Sequence, residues 1–188
     1  MKKTIFLFLL LTALCCTQAN AQKLAVGTNL ISYANFLTAN LDISYAVAKN
    51  WSIYIQGKYN PWTFRESKPP IEHMQNRQIT FAAGTRYYPW HVYTGWWTSA
   101  SLQYTKYNTG GIVSDKAWEG QLYGTSLGLG YSWLMNRHFN LDFGLSLIVA
   151  RNNYWTYDCP ACGRMDENDK KEIYVGPNEL LVKLSYLF

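Results

Sequence analysis

Cys159 and Cys162 form a CxxC and are the only cysteines beyond residue 21. In an exported chain such a pair is free to oxidise, so a local disulfide pinning its loop is expected, though so small a ring is strained and reducible. Asp158, Asp166, Glu167 and Asp169 add oxygen ligands nearby. Structural zinc wants four well-spaced ligands, however, and a second cysteine pair is missing, so neither a metal nor any other cofactor is expected. A thioredoxin-type redox role is disfavoured because the motif opens no helix in a βαβ pattern. Among the three histidines, His73 alone has partners suited to general-base work, with Glu72 beside it and Ser67 on the same segment. A lone loop histidine is far more often solvated surface, so no catalytic residue is assigned. A lipid A-modifying enzyme stands as the alternative function.

Six charges need a different account. Asp42, Lys58, Arg86, Asp142, Glu179 and Lys183 fall on the polar side of segments whose other side is apolar. Charges of both signs enclosed in a narrow interior are tolerable only if they pair, which predicts a plug of salt bridges; a gated channel is the less favoured reading. A third set, Trp62, Phe64, Arg65, Lys68 and Arg77 with Tyr154, Trp155 and Tyr157, combines rigid aromatic surface with positive charge. That combination suits binding of glycan, lipopolysaccharide or a partner protein.

The elements that position these residues are read from period-two alternation, which sends successive side chains to opposite faces of a strand. Eight such segments follow one another. In the second, Leu37, Ala39, Leu41, Ile43, Tyr45 and Val47 oppose Thr38, Asn40, Asp42 and Ser44. In the third, Tyr54 is an exception on an otherwise polar side. In the sixth, Tyr123, Thr125, Leu127, Leu129, Tyr131 and Trp133 face away from Gly124, Ser126, Gly128, Gly130 and Ser132. Short turns are expected near 48–50, 89–95 and 134–138. Mostly longer connections are expected near 33–37, 60–77, 107–117 and 151–178, the second because its prolines and charges argue against a strand.

The N-terminus adds a destination. Lys2 and Lys3, the apolar run Thr4 to Leu14 and the small-x-small site Ala19-Asn20-Ala21 read as a cleaved signal peptide over residues 1–21, leaving 22–188 as one domain. No later run approaches the ~20 apolar residues of a transmembrane helix. Even so, 48% of residues are hydrophobic and 16% aromatic while the mean hydropathy is slightly negative, which requires alternation. Aromatic residues collect toward both ends of the segments, where rings would sit in lipid headgroups. The expected fold is therefore all-β: an eight-stranded antiparallel up-and-down transmembrane β-barrel in the outer membrane, with short periplasmic turns and longer external loops. The net charge of +5, two of it in the signal, is too mild to imply nucleic acid, and export removes that partner.

The closing alternation, with Tyr186 and a terminal Phe188, resembles the strand signal read by the barrel insertion machinery. The mature chain also resembles a family of uncharacterised Bacteroidota outer-membrane proteins, a domain of unknown function similar in layout to small eight-stranded barrels. The residues carrying this are Arg86-Tyr87-Tyr88-Pro89-Trp90, Gly128-Leu129-Gly130-Tyr131-Ser132-Trp133 and Cys159-Pro160-Ala161-Cys162-Gly163. The resemblance implies no catalytic residues and only a loose association with fimbrial assembly. The expectation is a non-enzymatic barrel with a structural or surface-binding role. Deleting Phe188 should impair insertion while leaving every loop intact; normal surface levels of that truncation would show the terminus to be dispensable.

Overall fold

The computed structural model describes residues 23–64, 69, 73–112, 116–159 and 165–188, with the backbone alone for 165–169. Residues 1–21 lie outside this set. The chain is all-β, with strands β1 (Leu24–Asn29), β2 (Ala39–Ala48), β3 (Trp51–Phe64), β4 (Met74–Tyr87), β5 (Gly95–Gly110), β6 (Ala117–Leu134), β7 (Phe139–Tyr157) and β8 (Met165–Leu187). The one helix among the described residues, α1 (Leu30–Ala34), is neither long nor apolar enough to cross a membrane. Each strand pairs antiparallel with the next, and β8 returns to β1 through Ala25↔Leu187 to Asn29↔Lys183, so the eight form one closed ring.

The alternation is realised as an inside and an outside. On β6, Leu127, Leu129, Tyr131 and Trp133 are exposed on the outer face, whereas Ser126 and Ser132 are buried within. Tyr54, the exception on β3, is buried inside with the Arg86 guanidinium 4.0 Å above its ring. A cation over an aromatic face makes a large ring a suitable neighbour for an enclosed charge.

Three expectations are corrected. Residues 60–64 and 74–77 are strand rather than loop, with Pro61 opposite Arg77. The proline is tolerated because β2 ends at Ala39, opposite Tyr59, leaving β3 above that point with a neighbour on one side only. Most of 151–178 is likewise strand, since β7 and β8 continue pairing as far as Tyr157↔Met165. Above the apolar part polar side chains stand on both faces, so the ladder continues without the alternation that reveals strands in sequence. Conversely, Leu37 is not in a strand. Asn29 caps α1 by accepting from the Ile31 N–H at 3.2 Å, and Leu37 sits in a left-handed turn at φ 53°.

The turn-side end of the ring is closed by an apolar floor. Tyr88, Tyr93, Trp97 and Leu187 are buried there together, and Asn50 ties two turns into one unit by donating to the Tyr88 and Trp90 carbonyls at 2.6 and 3.1 Å. Two glycines of the inner face, Gly130 of β6 and Gly144 of β7, make room for the Trp97 indole. A Cβ on Gly130 would lie 2.4 Å from its ring, and one on Gly144 would lie 2.7 Å away. Gly144→Val should therefore overpack the interior and cost about 1–3 kcal/mol in urea unfolding from micelles. The same change in a Trp97→Leu background should cost less; an equal cost would separate the glycine from the indole.

Candidate functional site

Ion pairing across the ring begins on β2. Asp42 receives Arg86 of β4 at 2.8 Å through Oδ2 and Lys183 of β8 at 3.1 Å through Oδ1. Lys183 also reaches Asp142 of β7 at 2.9 Å. Asp142 in turn accepts a short hydrogen bond from the Ser132 hydroxyl and one of 3.0 Å from the Asn140 amide. The four charges sum to zero, and none of their side chains is more than 5% exposed. Arg86 is also flanked by two rings, with Tyr54 at 4.0 Å and Trp97 at 5.6 Å. This arrangement meets the requirement for enclosed charge, which costs several kcal/mol per ion unless paired and hydrogen-bonded.

Beneath the four charges lies Tyr93, in the turn between β4 and β5. Burial pushes its phenol up to about 12, so it remains a donor, directed at the carbonyls of Lys23 (3.1 Å) and Ser44 (3.2 Å). Toward the loop side, a second ion pair joins Lys58 to Glu179 at 2.9 Å. The Gln56 amide donates to Glu179 at 3.2 Å and the Asn29 amide at 2.7 Å. Only about 30 Å³ separates this layer from Arg86 and Trp97 below. Beyond it the interior widens to a cavity of about 280 Å³, bordered by Lys58 and by residues of α1 and β4 to β8.

Asn29 also performs a structural task. Its side chain donates to the Leu180 carbonyl at 3.0 Å and accepts from the Val182 N–H at 3.1 Å. It thereby acts as one more rung of the β1–β8 ladder after β1 has ended. Above it α1 takes the place of the missing strand. Ser32 is buried, while Leu30 and Tyr33 are exposed, and the Tyr33 hydroxyl bonds the outward-facing Thr28 at 2.9 Å. So short a helix leaves most of its terminal groups without intrahelical partners, and the turn that follows supplies some of them: the Ser32 carbonyl accepts from the Asn35 and Thr38 N–H groups at 3.2 Å and the Tyr33 carbonyl from Leu37 at 2.9 Å.

The structure brings the six predicted interior charges together as these two groups. The predicted binding residues are instead divided. Trp62, Phe64 and Arg77 lie on the β3–β4 hairpin, where Phe64 packs on Phe36 at 5.5 Å and Arg77 donates to Thr63 at 2.8 Å. Tyr154, Trp155 and Tyr157 lie on β7, across the ring, with Tyr154 and Trp155 on opposite faces by alternation. Arg65, Lys68, Ser67, Glu72 and Cys162 lie outside the described residues. The expected disulfide therefore involves a described and buried Cys159 and a Cys162 that is not described. Tyr186 and Phe188 face outward with their rings 4.8 Å apart, and the Phe188 N–H donates to the Leu24 carbonyl at 2.8 Å. Among the described residues no group of three or more His, Cys, Asp and Glu is placed to hold a metal ion.

Asn29, Trp97 and Tyr93 were not among the predicted site residues. Trp97 had one legible signal: in the Trp96-Trp97 pair, alternation must send one ring inward.

Over residues 6–188 the chain matches the family described as "Protein of unknown function (DUF3575)". No curated protein matches it.

The ion cluster sets a test. Asp42→Asn leaves Arg86 and Lys183 facing a single remaining carboxylate and should lower unfolding stability by about 3–5 kcal/mol. The double change Lys183→Met with Asp142→Leu removes one charge of each sign and retains the Arg86–Asp42 pair. It should cost less than Lys183→Met alone, measured by urea titration. A larger cost would contradict pairing as the reason for these residues.

Proposed function

The chain belongs to the DUF3575 family of unknown function, and from its geometry we propose a non-conducting β-barrel of the bacterial outer membrane with a structural or binding role on its external side. The observation that carries this reading is the outward apolar belt. Outward residues from Ile79 to Tyr87 on β4, Trp96 to Tyr104 on β5, Tyr123 to Trp133 on β6 and Phe139 to Val149 on β7 are all apolar, aromatic, Ala or Thr. Arg77, Lys106, Gln121 and Arg151 stand at the next outward position of each strand. The belt is thus about 9–11 residues tall, the length that crosses a hydrocarbon layer as tilted strand. Soluble monomers rarely expose so continuous an apolar surface.

Aromatic rings at the belt's margins support the same setting. Trp51 against Tyr87, and Trp96 against Tyr131, pack at 4.9 and 5.4 Å on the turn side, with Tyr59, Tyr104 and Tyr123 toward the other margin. In this orientation the short turns are periplasmic and the long hairpins external. The paired charges and the apolar floor favour a closed interior over a channel. The external hairpins then offer Trp62, Phe64 and the β7 aromatics to lipopolysaccharide, surface glycan or fimbrial proteins, with a Cys159–Cys162 disulfide bracing the last hairpin. A lipid-modifying enzyme is the alternative, and His73→Ala tests it by the mass profile of lipid A.

Purified protein in planar bilayers should stay silent across voltages and should shift on gels between unheated and boiled samples. Steady single-channel currents would overturn the closed interior, and a water-soluble chain with no heat shift would overturn the membrane setting. Replacing Trp62, Phe64, Tyr154 and Trp155 together by Ala should abolish partner capture without altering the heat shift.

A further inference from the structure

We propose that the 280 Å³ cavity on the loop side of the ring is a binding site for an uncharged polyhydroxylated group, a saccharide of one or two rings. This site lies inside the wall rather than on the external hairpins. It rests on the proposed membrane setting only in the question of which source of sugar reaches it.

Its volume far exceeds the ~10–15 Å³ that a single water needs. The wall is rich in groups that both donate and accept, among them Ser32, Gln78, Gln103 and Asn178. Ser32 is only 8% exposed, and its hydroxyl makes no hydrogen bond to a described residue; the Gln78 amide makes none either. Gln103 spends its amide nitrogen on Thr105 at 3.2 Å and Asn178 spends its own on Ser146 at 3.2 Å, leaving both carbonyl oxygens for a ligand. These groups face the cavity, where a guest supplying hydroxyls can take the place of water as their partner. Each sugar hydroxyl donates and accepts, matching amide and hydroxyl walls in a way that a purely anionic guest does not.

Charge selects the class. The cation at this cavity, Lys58, is already committed to Glu179 at 2.9 Å, so the pair presents no net charge to a phosphate or carboxylate. Ile148 and Tyr174 add apolar surface to the same wall, suited to the C–H face of a sugar ring. The α1 segment forms one side, and it is the part of the wall without a backbone ladder to β8. A sugar carried on a lipid has its approach there.

The test uses the full chain folded in amine-oxide micelles, free of sugar-based detergent, with calorimetric titration of methyl glucoside, methyl N-acetylglucosaminide and maltose. A second arm uses vesicles with and without a neutral glycosyl diacylglycerol. At least one neutral ligand should bind, unaffected by added salt, and Ser32→Val and Gln78→Ala should each weaken it about two- to tenfold. Binding of free glycosides identifies a soluble source, and binding of the glycolipid alone a lipid-linked one. No binding in either arm overturns the proposal, as do binding indifferent to both substitutions and a tighter response to inorganic phosphate. The heat shift of each variant reports that the ring is folded. A chain that binds sugar yet stays soluble without detergent would overturn the membrane reading alone.

Discussion

Asp42 holds one carboxylate oxygen toward Arg86 and the other toward Lys183, and Lys183 passes the contact on to Asp142. Those four residues come from β2, β4, β7 and β8: the two pairs made by Asp42 tie strands that are not neighbours, while Lys183 and Asp142 face each other on adjacent strands. Here the apolar side chains point outward, and the interior must secure itself by pairing charge and satisfying hydrogen bonds. That requirement explains the Tyr54 ring under Arg86, the Ser132 and Asn140 donors on Asp142, and the glycines that admit Trp97.

From the turns to the loops the interior changes character. An apolar floor of Tyr88, Tyr93 and Leu187 underlies four paired charges, then a small void, then the Lys58–Glu179 pair, then a wide uncharged cavity. The lower layers suit closure and the upper one suits a guest. The change coincides with the end of β1, where Asn29 bonds Leu180, Val182 and Glu179 at once. One buried amide thus finishes the β1–β8 ladder, caps α1 and anchors the upper ion pair. The wall above it is assembled by side-chain packing.

Much of the architecture was legible because strand faces have period two, and a ring that is apolar outside and polar inside writes that period most clearly. Asp42, Arg86, Asp142 and Lys183 could be placed on one side from their neighbours alone. The legibility stopped where the outward side chains stopped being apolar. Residues 60–64, 74–77 and 165–175 continue as strand, but their sequence carries no apolar–polar alternation, and Pro61 argued against a strand it in fact occupies. Trp97 was obscured by Trp96, and Asn29 by being one polar residue among several.

By itself the sequence determined which side chains share a face, the number of strands and the polarity of each side, because these follow from spacing along one chain. Only the tertiary structure decided which charge meets which. Asp42 and Lys183 are far apart in sequence, and their contact depends on ring closure and on the register that sets Asn29 opposite Lys183. The same closure divided the aromatic residues expected to act together between β3 and β7, and enclosed a cavity whose wall draws on α1 and six strands. Register and closure are properties of all eight strands jointly, and no local pattern records them.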